Sequence, residues 1–142
     1  MAAPIIVFDG DCAFCTSCVT WAARVIAPDV TWQPWQHSNL AELGLTQAKC
    51  EQALQWVDVA ATAETRTPRH AGGGMAVRLI LLQGRGIWPA IGTMLGLPGV
   101  SSLVDWAYRL VASNRHRLPG ATPACALPTA PVRRVTNGPT VQ

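Results

Sequence analysis

Charged residues are scarce in this 142-residue chain, which contains 13% Asp, Glu, Lys and Arg beside 49% hydrophobic residues. The chain has no run of 18 apolar residues free of charge, so the sequence predicts no transmembrane helix. Its first residues also lack the basic start, long apolar centre and small-residue cleavage site of a secretory signal. We therefore expect a cytoplasmic protein that does not insert stably into a membrane.

Charge of each sign is concentrated in a different half of the chain. Residues 1–65 contain seven acidic residues against two basic ones, whereas residues 66–142 contain nine Arg against Asp105 alone. A basic half can attract phosphate or an acidic partner. These Arg are scattered and are not interleaved with aromatic residues, however, so no nucleic-acid partner is expected. We favour the interpretation that the two halves attract each other.

The stretch 5–21, IIVFDGDCAFCTSCVTW, joins a short apolar run to a helical pattern through a turn. Residues 5–8 predict a buried strand of the kind found inside a parallel sheet. Residues 9–11 form the turn, and Asp11 is the predicted N-cap of a helix over residues 12–26. This places Cys12 at the first helical position and Cys15 one turn later.

The CxxC pair at this strand-to-helix junction predicts a redox site. Two thiols at this spacing can close into a small disulfide ring, and the free N–H groups of a helix N-terminus stabilise a thiolate. The chain contains five cysteines, an odd number, and structural disulfides are rare in the cytoplasm. A CxxC pair in that compartment is more often catalytic or metal-binding.

Periodicity and turn signals predict the remaining elements. Strands are expected over 30–35, over 57–60 and near 66–70, and helices are expected over 38–44, from Thr46 onward, over 75–82, over 87–95 and over 101–115. This order resembles a thioredoxin-like arrangement. We therefore predict an α/β fold with a thioredoxin-like core, a mixed sheet of about four strands flanked by helices, and extra C-terminal helices. A single domain is expected over residues 4–127, with a disordered tail over 128–142.

Two sequence blocks resemble one family. Asp-Gly-Asp-Cys-Ala-Phe-Cys at 9–15 is similar to the DxxCxxC signature of the DCC family, also called DUF393. The block 105–115, DWAYRLVASNR, resembles the D..Y...A.NR pattern of that family's late helix. Cys125 stands where the family often has a further cysteine. The resemblance implies a thioredoxin-like thiol-disulfide oxidoreductase, of the protein-disulfide reductase type. Residues implied to support the site are Gly10, Asp11, Tyr108, Arg109, Asn114, Arg115 and Cys125.

Thiol chemistry suggests a role for each residue of the first block. We expect Cys12 to be the outer, more exposed thiol that attacks a disulfide, and Cys15 to resolve the mixed disulfide. Asp9, at the end of the first strand, is expected to accept and return the proton of Cys15, although it is equally interpreted as a turn residue. No bound cofactor or metal is expected beyond a Cys12/Cys15 disulfide. The expected partner is a disulfide-containing protein or a low-molecular-weight thiol.

The other cysteines leave alternatives open. Cys18 would be a third redox partner or, as we favour, a small buried hydrophobe. Cys50, in an exposed-looking helix, is expected to take no part, and Cys125 would reach the CxxC pair only if the fold brings it close. Cys12, Cys15, Cys18 and Cys125 would together offer four thiolates to zinc or an iron–sulfur cluster. A third alternative is a non-catalytic interaction domain with a Trp-rich apolar surface.

Two further features concern ligand binding. Gly72 to Gly74 precede a predicted helix, so they form either an anion-binding turn or simply a flexible one. Thioredoxin-like proteins usually carry a cis proline just before their third strand, facing the dithiol. Residues 54–56, Leu-Gln-Trp, offer no such proline. The sequence therefore does not predict the backbone contact to substrate that this proline usually supports.

Overall fold

The computed structural model describes residues 3–59 and 69–121 of the chain. Within these residues, a four-stranded sheet is flanked by five α-helices. The strands are β1 (Ile5–Phe8), β2 (Thr31–Pro34), β3 (Gln55–Asp58) and β4 (Arg69–Gly72). The helices are α1 (Ala13–Val25), α2 (Gln47–Gln52), α3 (Gly73–Leu82), α4 (Trp88–Met94) and α5 (Val100–Asn114), with short 3-10 turns at Trp35–His37 and Arg115–Arg117.

The sheet is mixed, with the strand order β2-β1-β3-β4. β1 pairs in parallel with β2, which places Ile5 opposite Thr31. β1 pairs antiparallel with β3, and β3 antiparallel with β4. A parallel pair joined through α1, followed by an antiparallel pair, is compatible with the thioredoxin-like core predicted from the sequence. The α/β class is confirmed.

β1 is one of the two inner strands, and its apolar side chains fill the core on both faces of the sheet. Ile6 packs on one face with residues from the end of α1 and from α3, among them Ile26 and Ile80. Val7 points to the opposite face, where it packs against Leu45 and Cys50. Adjacent strand residues alternate between faces, so a strand buried on both sides needs a continuous apolar run. The end of this strand positions the site.

Several boundaries differ from those predicted. No helix forms over 38–44; a 3-10 turn at Trp35–His37 is followed there by bends and turns. β3 begins at Gln55 rather than at residue 57, because it pairs with β1 from Gln55 to Val57. α5 begins at Val100 after Gly99, whose φ of 87° is left-handed, so Ser101 and Ser102 lie inside the helix rather than at its cap.

The hairpin predicted between the third and fourth strands is present as the antiparallel pair of β3 and β4. Its connecting residues 60–68 and the predicted tail over 128–142 lie outside the described residues, as does the end of the predicted domain. Within residues 3–59 and 69–121, no helix is both long and apolar enough to cross a membrane.

Candidate functional site

The turn that follows β1 is held by a glutamine from the 3-10 turn that follows β2. Asp9, which is 6% exposed, accepts hydrogen bonds at Oδ1 from Gln36 Nε2 (3.1 Å) and from the Asp11 backbone N–H (3.2 Å). Gln36 Oε1 accepts from the Gly10 N–H at 3.2 Å. A Cβ on Gly10 would lie 2.8 Å from Pro34 Cβ, so this close approach requires glycine. The sequence analysis did not identify Gln36, because its partners Gly10 and Asp9 lie 26 and 27 residues away along the chain.

The start of α1 differs from the predicted arrangement. Cys12, not Asp11, occupies the N-cap position, and it makes no side-chain cap hydrogen bond. Asp11 is exposed and lies one residue before the N-cap, so its predicted capping position is wrong. Cys12 is fully buried at 0% exposure, which contradicts the expectation that it is the outer thiol. Asp9 instead holds the turn, because its Oδ1 accepts hydrogen bonds from both the Gln36 side chain and the Asp11 backbone N–H.

The sulfur atoms near this turn are in different chemical states. Cys12 takes part in a disulfide. Cys15, Cys18 and Cys50 carry free thiols. Cys12 and Cys15 are therefore not joined to each other in this state of the protein, and exchange between them stays a prediction.

Cys15 lies in the first turn of α1 with its side chain partly buried. Desolvation raises the pKa of its thiol above the ordinary 9.0. The positive charge of Arg115 and the hydrogen bond from Arg115 Nη1 to Cys15 Sγ (3.5 Å) act in the opposite direction, and the charge of Asp9 adds to the rise. Burial is the largest of these effects, so the thiol is protonated at neutral pH and Arg115 limits the cost of ionising it.

Arg115 contacts this thiol although it lies 100 residues further along the chain. It follows α5 in the second 3-10 turn and is 4% exposed. Its Nη2 donates to the backbone carbonyl of Glu51 at the end of α2. A buried guanidinium needs such partners, because an unpaired buried charge is costly. The residue thus ties α2, α5 and the first turn of α1 together around Cys15.

Tyr108 lies on the same helical face as Arg115, two turns earlier. Its hydroxyl accepts a hydrogen bond from the Leu54 backbone N–H at 2.9 Å, and desolvation raises the pKa of the phenol. Leu54 directly precedes β3, where thioredoxin-like proteins usually carry their cis proline. No cis peptide bond occurs among the residues described. The N–H at this position is thus already bonded within the protein.

Asp105 completes this face of α5 and packs against the start of α3. A Cβ on Gly74 would lie 3.1 Å from Asp105 Cα and would also collide with its carboxylate, so the two backbones require glycine there. Gly73 has a φ of 63°, which favours glycine for a different reason. Asp105 therefore packs directly against Gly74. The space that an anion would need beside this glycine is filled by the Asp105 carboxylate.

These residues surround a cavity of about 570 Å³. Its walls are mostly apolar and come from the end of β1, from α1, α3 and α5, and from the segment before β3. The lining residues are Phe8, Asp9, Phe14, Cys15, Ser17, Cys18, Val19, Trp21, Ala22, Ile26, Trp32, Cys50, Leu54, Val77, Ile80, Leu81, Tyr108, Val111, Ala112, Arg115 and Pro119. The CxxC turn and the late helix, separated by about a hundred residues in sequence, therefore share one cavity.

The remaining cysteines do not lie where the sequence suggested. Cys18 is exposed, so its interpretation as a buried hydrophobe is wrong, and partial desolvation raises the pKa of its thiol. Cys50 is buried rather than exposed, and desolvation raises its pKa to about 11. Both line the cavity beside Cys15. Cys125 lies outside the described residues.

Two residues implied by the late-helix pattern are not brought to the cavity. Arg109 is exposed on α5. Asn114 donates to the Leu110 carbonyl at 2.8 Å and to Ser113 Oγ at 3.3 Å, contacts confined to its own helix end. Within the ranges 3–59 and 69–121, no three His, Cys, Asp or Glu side chains form a group that could hold a metal ion.

Comparison with known proteins agrees with the family that the two sequence blocks resemble. No curated protein and no solved structure matches the chain. The family model described as DCC1-like thiol-disulfide oxidoreductase matches residues 6–121, which include both Cys12 and Cys15, the late helix and Arg115. This chain therefore belongs to the DCC1-like family, DUF393, of thiol-disulfide oxidoreductases.

Proposed function

We propose that this protein transfers electrons between thiols and disulfides through Cys12 and Cys15, and that Cys15 is the thiol that meets the substrate. The observation that carries this proposal is the free thiol of Cys15 in the cavity wall, with a buried guanidinium donating to its sulfur. Cys12 is fully buried, so its direct attack on a substrate is disfavoured. We therefore reverse the roles expected from the sequence: Cys15 attacks the substrate and Cys12 resolves the mixed disulfide.

The reaction starts from the reduced protein, in which an external thiol has opened the disulfide at Cys12 and both cysteines are thiols. The Cys15 thiolate attacks one sulfur of a disulfide R–S–S–R, forming a mixed disulfide and releasing one thiolate. The Cys12 thiolate then attacks Cys15 Sγ, which forms the Cys12–Cys15 disulfide and releases the second thiolate. Two electrons pass to the substrate, and the two protons of the dithiol neutralise the two released thiolates. An external thiol reverses these steps to regenerate the protein.

Electrostatics supports Cys15 in this role despite its burial. A thiolate formed there keeps the Arg115 hydrogen bond, and hydrogen bonds to ionised groups are stronger than neutral ones. Cys15 also lies in the first turn of α1, where the helix N-terminus favours negative charge. Cys18 lies one turn further on, where burial raises the pKa of its thiol. At Cys15, in contrast, the charge and the hydrogen bond of Arg115 oppose the rise.

Asp9 is proposed to accept the proton that Cys15 loses. It is buried, it lines the same cavity, and its charge acts on the Cys15 thiol. Both of its hydrogen bonds from described residues end on Oδ1. Within those residues, Oδ2 is left to take up a proton.

The function is tested by titrating the protein against dithiol/disulfide buffers and tagging free thiols with an alkylating mass label. We expect a reversible two-electron transition in which Cys12 and Cys15 lose the label together, and this transition should be absent in Cys12→Ser and in Cys15→Ser. Cys18→Ser, one turn further along α1, is the matched control and should keep the transition. If the labelling of Cys15 does not change with the potential of the buffer, the assignment is refuted.

A chelator arm separates the metal-binding alternative. If the thiols stay untagged until a chelator is added and zinc or iron then appears in solution, the cysteines bind metal and the redox proposal fails. If the redox transition is the same in Cys12→Ser, in Cys15→Ser and in the wild-type protein, and no metal is released, neither chemistry belongs to this site.

A further inference from the structure

We propose that the cavity beside Cys15 binds the substrate, and that this substrate is a small, uncharged disulfide with apolar substituents. This inference rests on the proposed function, since it names the substrate class of the same cysteine. The volume of the cavity, about 570 Å³, lies within the range of sites that enclose small organic ligands. A folded protein would have to insert a segment into this space to bring a disulfide to the thiol.

The charge of the wall selects against ionised substrates. Asp9 and Arg115 are the charged residues among those lining the cavity, one of each sign. Both are buried and both are already engaged, Asp9 with Gln36 and Arg115 with the Glu51 carbonyl and Cys15. A carboxylate carried into the cavity would lose its water and gain no partner of its own, which is costly. Glutathione disulfide, with several ionised groups, fits this wall poorly.

The apolar wall favours apolar substituents in the same measure. Residues from three helices face the cavity without polar groups, among them Ala22, Val77 and Val111. Each methylene that leaves water for such a surface strengthens binding by about fourfold. The Leu54 N–H, a donor that a peptide substrate would otherwise use, is held by Tyr108. Recognition therefore relies on apolar contact rather than on backbone hydrogen bonds.

The chemical step is the thiol-disulfide exchange of the proposed function, in which both R groups of the substrate are apolar. Cys15 Sγ attacks the disulfide inside the cavity, the first thiol leaves as RS⁻ and takes up a proton, and Cys12 releases the second. No further oxidant or reductant is needed for this half of the cycle, because the dithiol supplies both electrons. Reduction of the resulting Cys12–Cys15 disulfide by an external thiol completes it.

Matched disulfides test the substrate class directly. Dithiodiglycolic acid and its dimethyl ester share one S–S bond and differ in charge. Their rates of reduction by the protein are each divided by the rate with mercaptoethanol, which removes their intrinsic difference in reactivity. We expect the normalised rate to be at least about tenfold higher for the ester, because the acid must bury two carboxylates. The diethyl ester should be faster still.

A cavity-filling variant tests the location. Ala112 lines the cavity on α5, whereas Ala107 on the same helix is exposed. Ala112→Phe should lower the normalised rate with the dimethyl ester by about tenfold, since the new ring occupies substrate volume. Ala107→Phe is the matched control and should leave that rate unchanged. Equal effects of the two variants would overturn the assignment.

Binding without chemistry supplies a second readout that does not depend on variants folding. Dimethyl adipate replaces the two sulfur atoms of the ester by methylenes and cannot react. It should quench or shift the tryptophan fluorescence, because Trp21 and Trp32 line the cavity, and it should inhibit reduction of the ester. Adipate, its dianion, should do neither at the same concentration.

Failure of this inference is distinguishable from failure of the proposed function. If the dianion or glutathione disulfide is reduced as fast as the ester, the cavity does not select substrate, although the cysteines remain redox-active. The same holds if a protein disulfide is reduced faster and Ala112→Phe has no effect on it. If no disulfide is reduced but dimethyl adipate binds, the function fails, and the substrate inference fails with it.

Discussion

Replacing Arg115 by Met should change the pH dependence of Cys15 in a way that no purely structural defect imitates. The substitution keeps much of the apolar stem and removes the guanidinium that donates to Cys15 Sγ at 3.5 Å. Burial raises the pKa of this thiol, and Arg115 opposes the rise by its charge and its hydrogen bond. The variant should therefore have a Cys15 pKa that lies higher still.

The magnitude follows from two opposing effects. A hydrogen bond to a charged group contributes about 1.5–3 kcal/mol, and the long N–S distance favours the lower value, which is roughly a tenfold loss of thiolate at neutral pH. A more basic thiolate is also a better nucleophile, by about threefold for such a change. The variant should thus react about threefold more slowly at neutral pH and about threefold faster in strong alkali. The two rate curves cross.

The assay measures how fast Cys15 forms a mixed disulfide with a small neutral disulfide, resolved by peptide mass spectrometry. Cys12→Ser serves as background, because it prevents resolution and lets the mixed disulfide accumulate. Arg109→Met is the control, since Arg109 lies on the same helix but is exposed. Curves that stay parallel at every pH would refute the assignment of Arg115 to the thiolate, because a loosened fold alters accessibility without a crossing.

Three other predictions concern neighbouring groups. Tyr108→Phe should lower the free energy of unfolding by about 1–3 kcal/mol in urea titrations, because it leaves the Leu54 N–H without its acceptor; an unchanged midpoint would show that this N–H is satisfied otherwise. Asp9→Asn should slow exchange at neutral pH by at least about tenfold if Asp9 accepts the proton of Cys15; a faster variant would mean that Asp9 merely disfavours the thiolate. Cys50, buried and with a pKa of about 11, should resist alkylation near pH 8 in the folded reduced protein, and rapid labelling there would contradict its burial.

The centre of the fold was predictable because its signals are local. Four consecutive apolar residues at the start of the chain specify β1, and an Asp-Gly-Asp turn before a helical pattern specifies the junction with α1. The late helix was likewise predicted by its periodicity, and its Asp, Tyr and Arg lie on one face because their spacings follow the helical turn. Local patterns also indicated which two segments matter.

The partners of these residues were not predictable, since they depend on tertiary packing. Cys18 and Cys50 were assigned the wrong burial because each helix was judged alone, without the elements that pack on it. The family resemblance implied that Arg115 supports the site, but no local pattern in either segment indicates its contact with Cys15, which spans a hundred residues. The capping role was assigned to Asp11 on propensity, but α1 begins one residue later than predicted, at Ala13, which places Cys12 at the N-cap.

The burial of titratable groups along the cavity links redox state to stability in alkali. Folding raises the pKa of Cys15 and of Tyr108, and it moves that of Cys50 from 9.0 to about 11. Groups whose pKa is higher in the folded state favour folding below their unfolded pKa, and this contribution is lost as the pH rises toward the folded value. Cys50 and Tyr108 titrate in either redox form, so both forms weaken as the pH rises above about 9, and the reduced form also loses the contribution of Cys15. Once Cys15 is held in a disulfide it has no proton to lose, so alkali penalises the reduced fold more than the oxidised one and shifts the equilibrium toward oxidation.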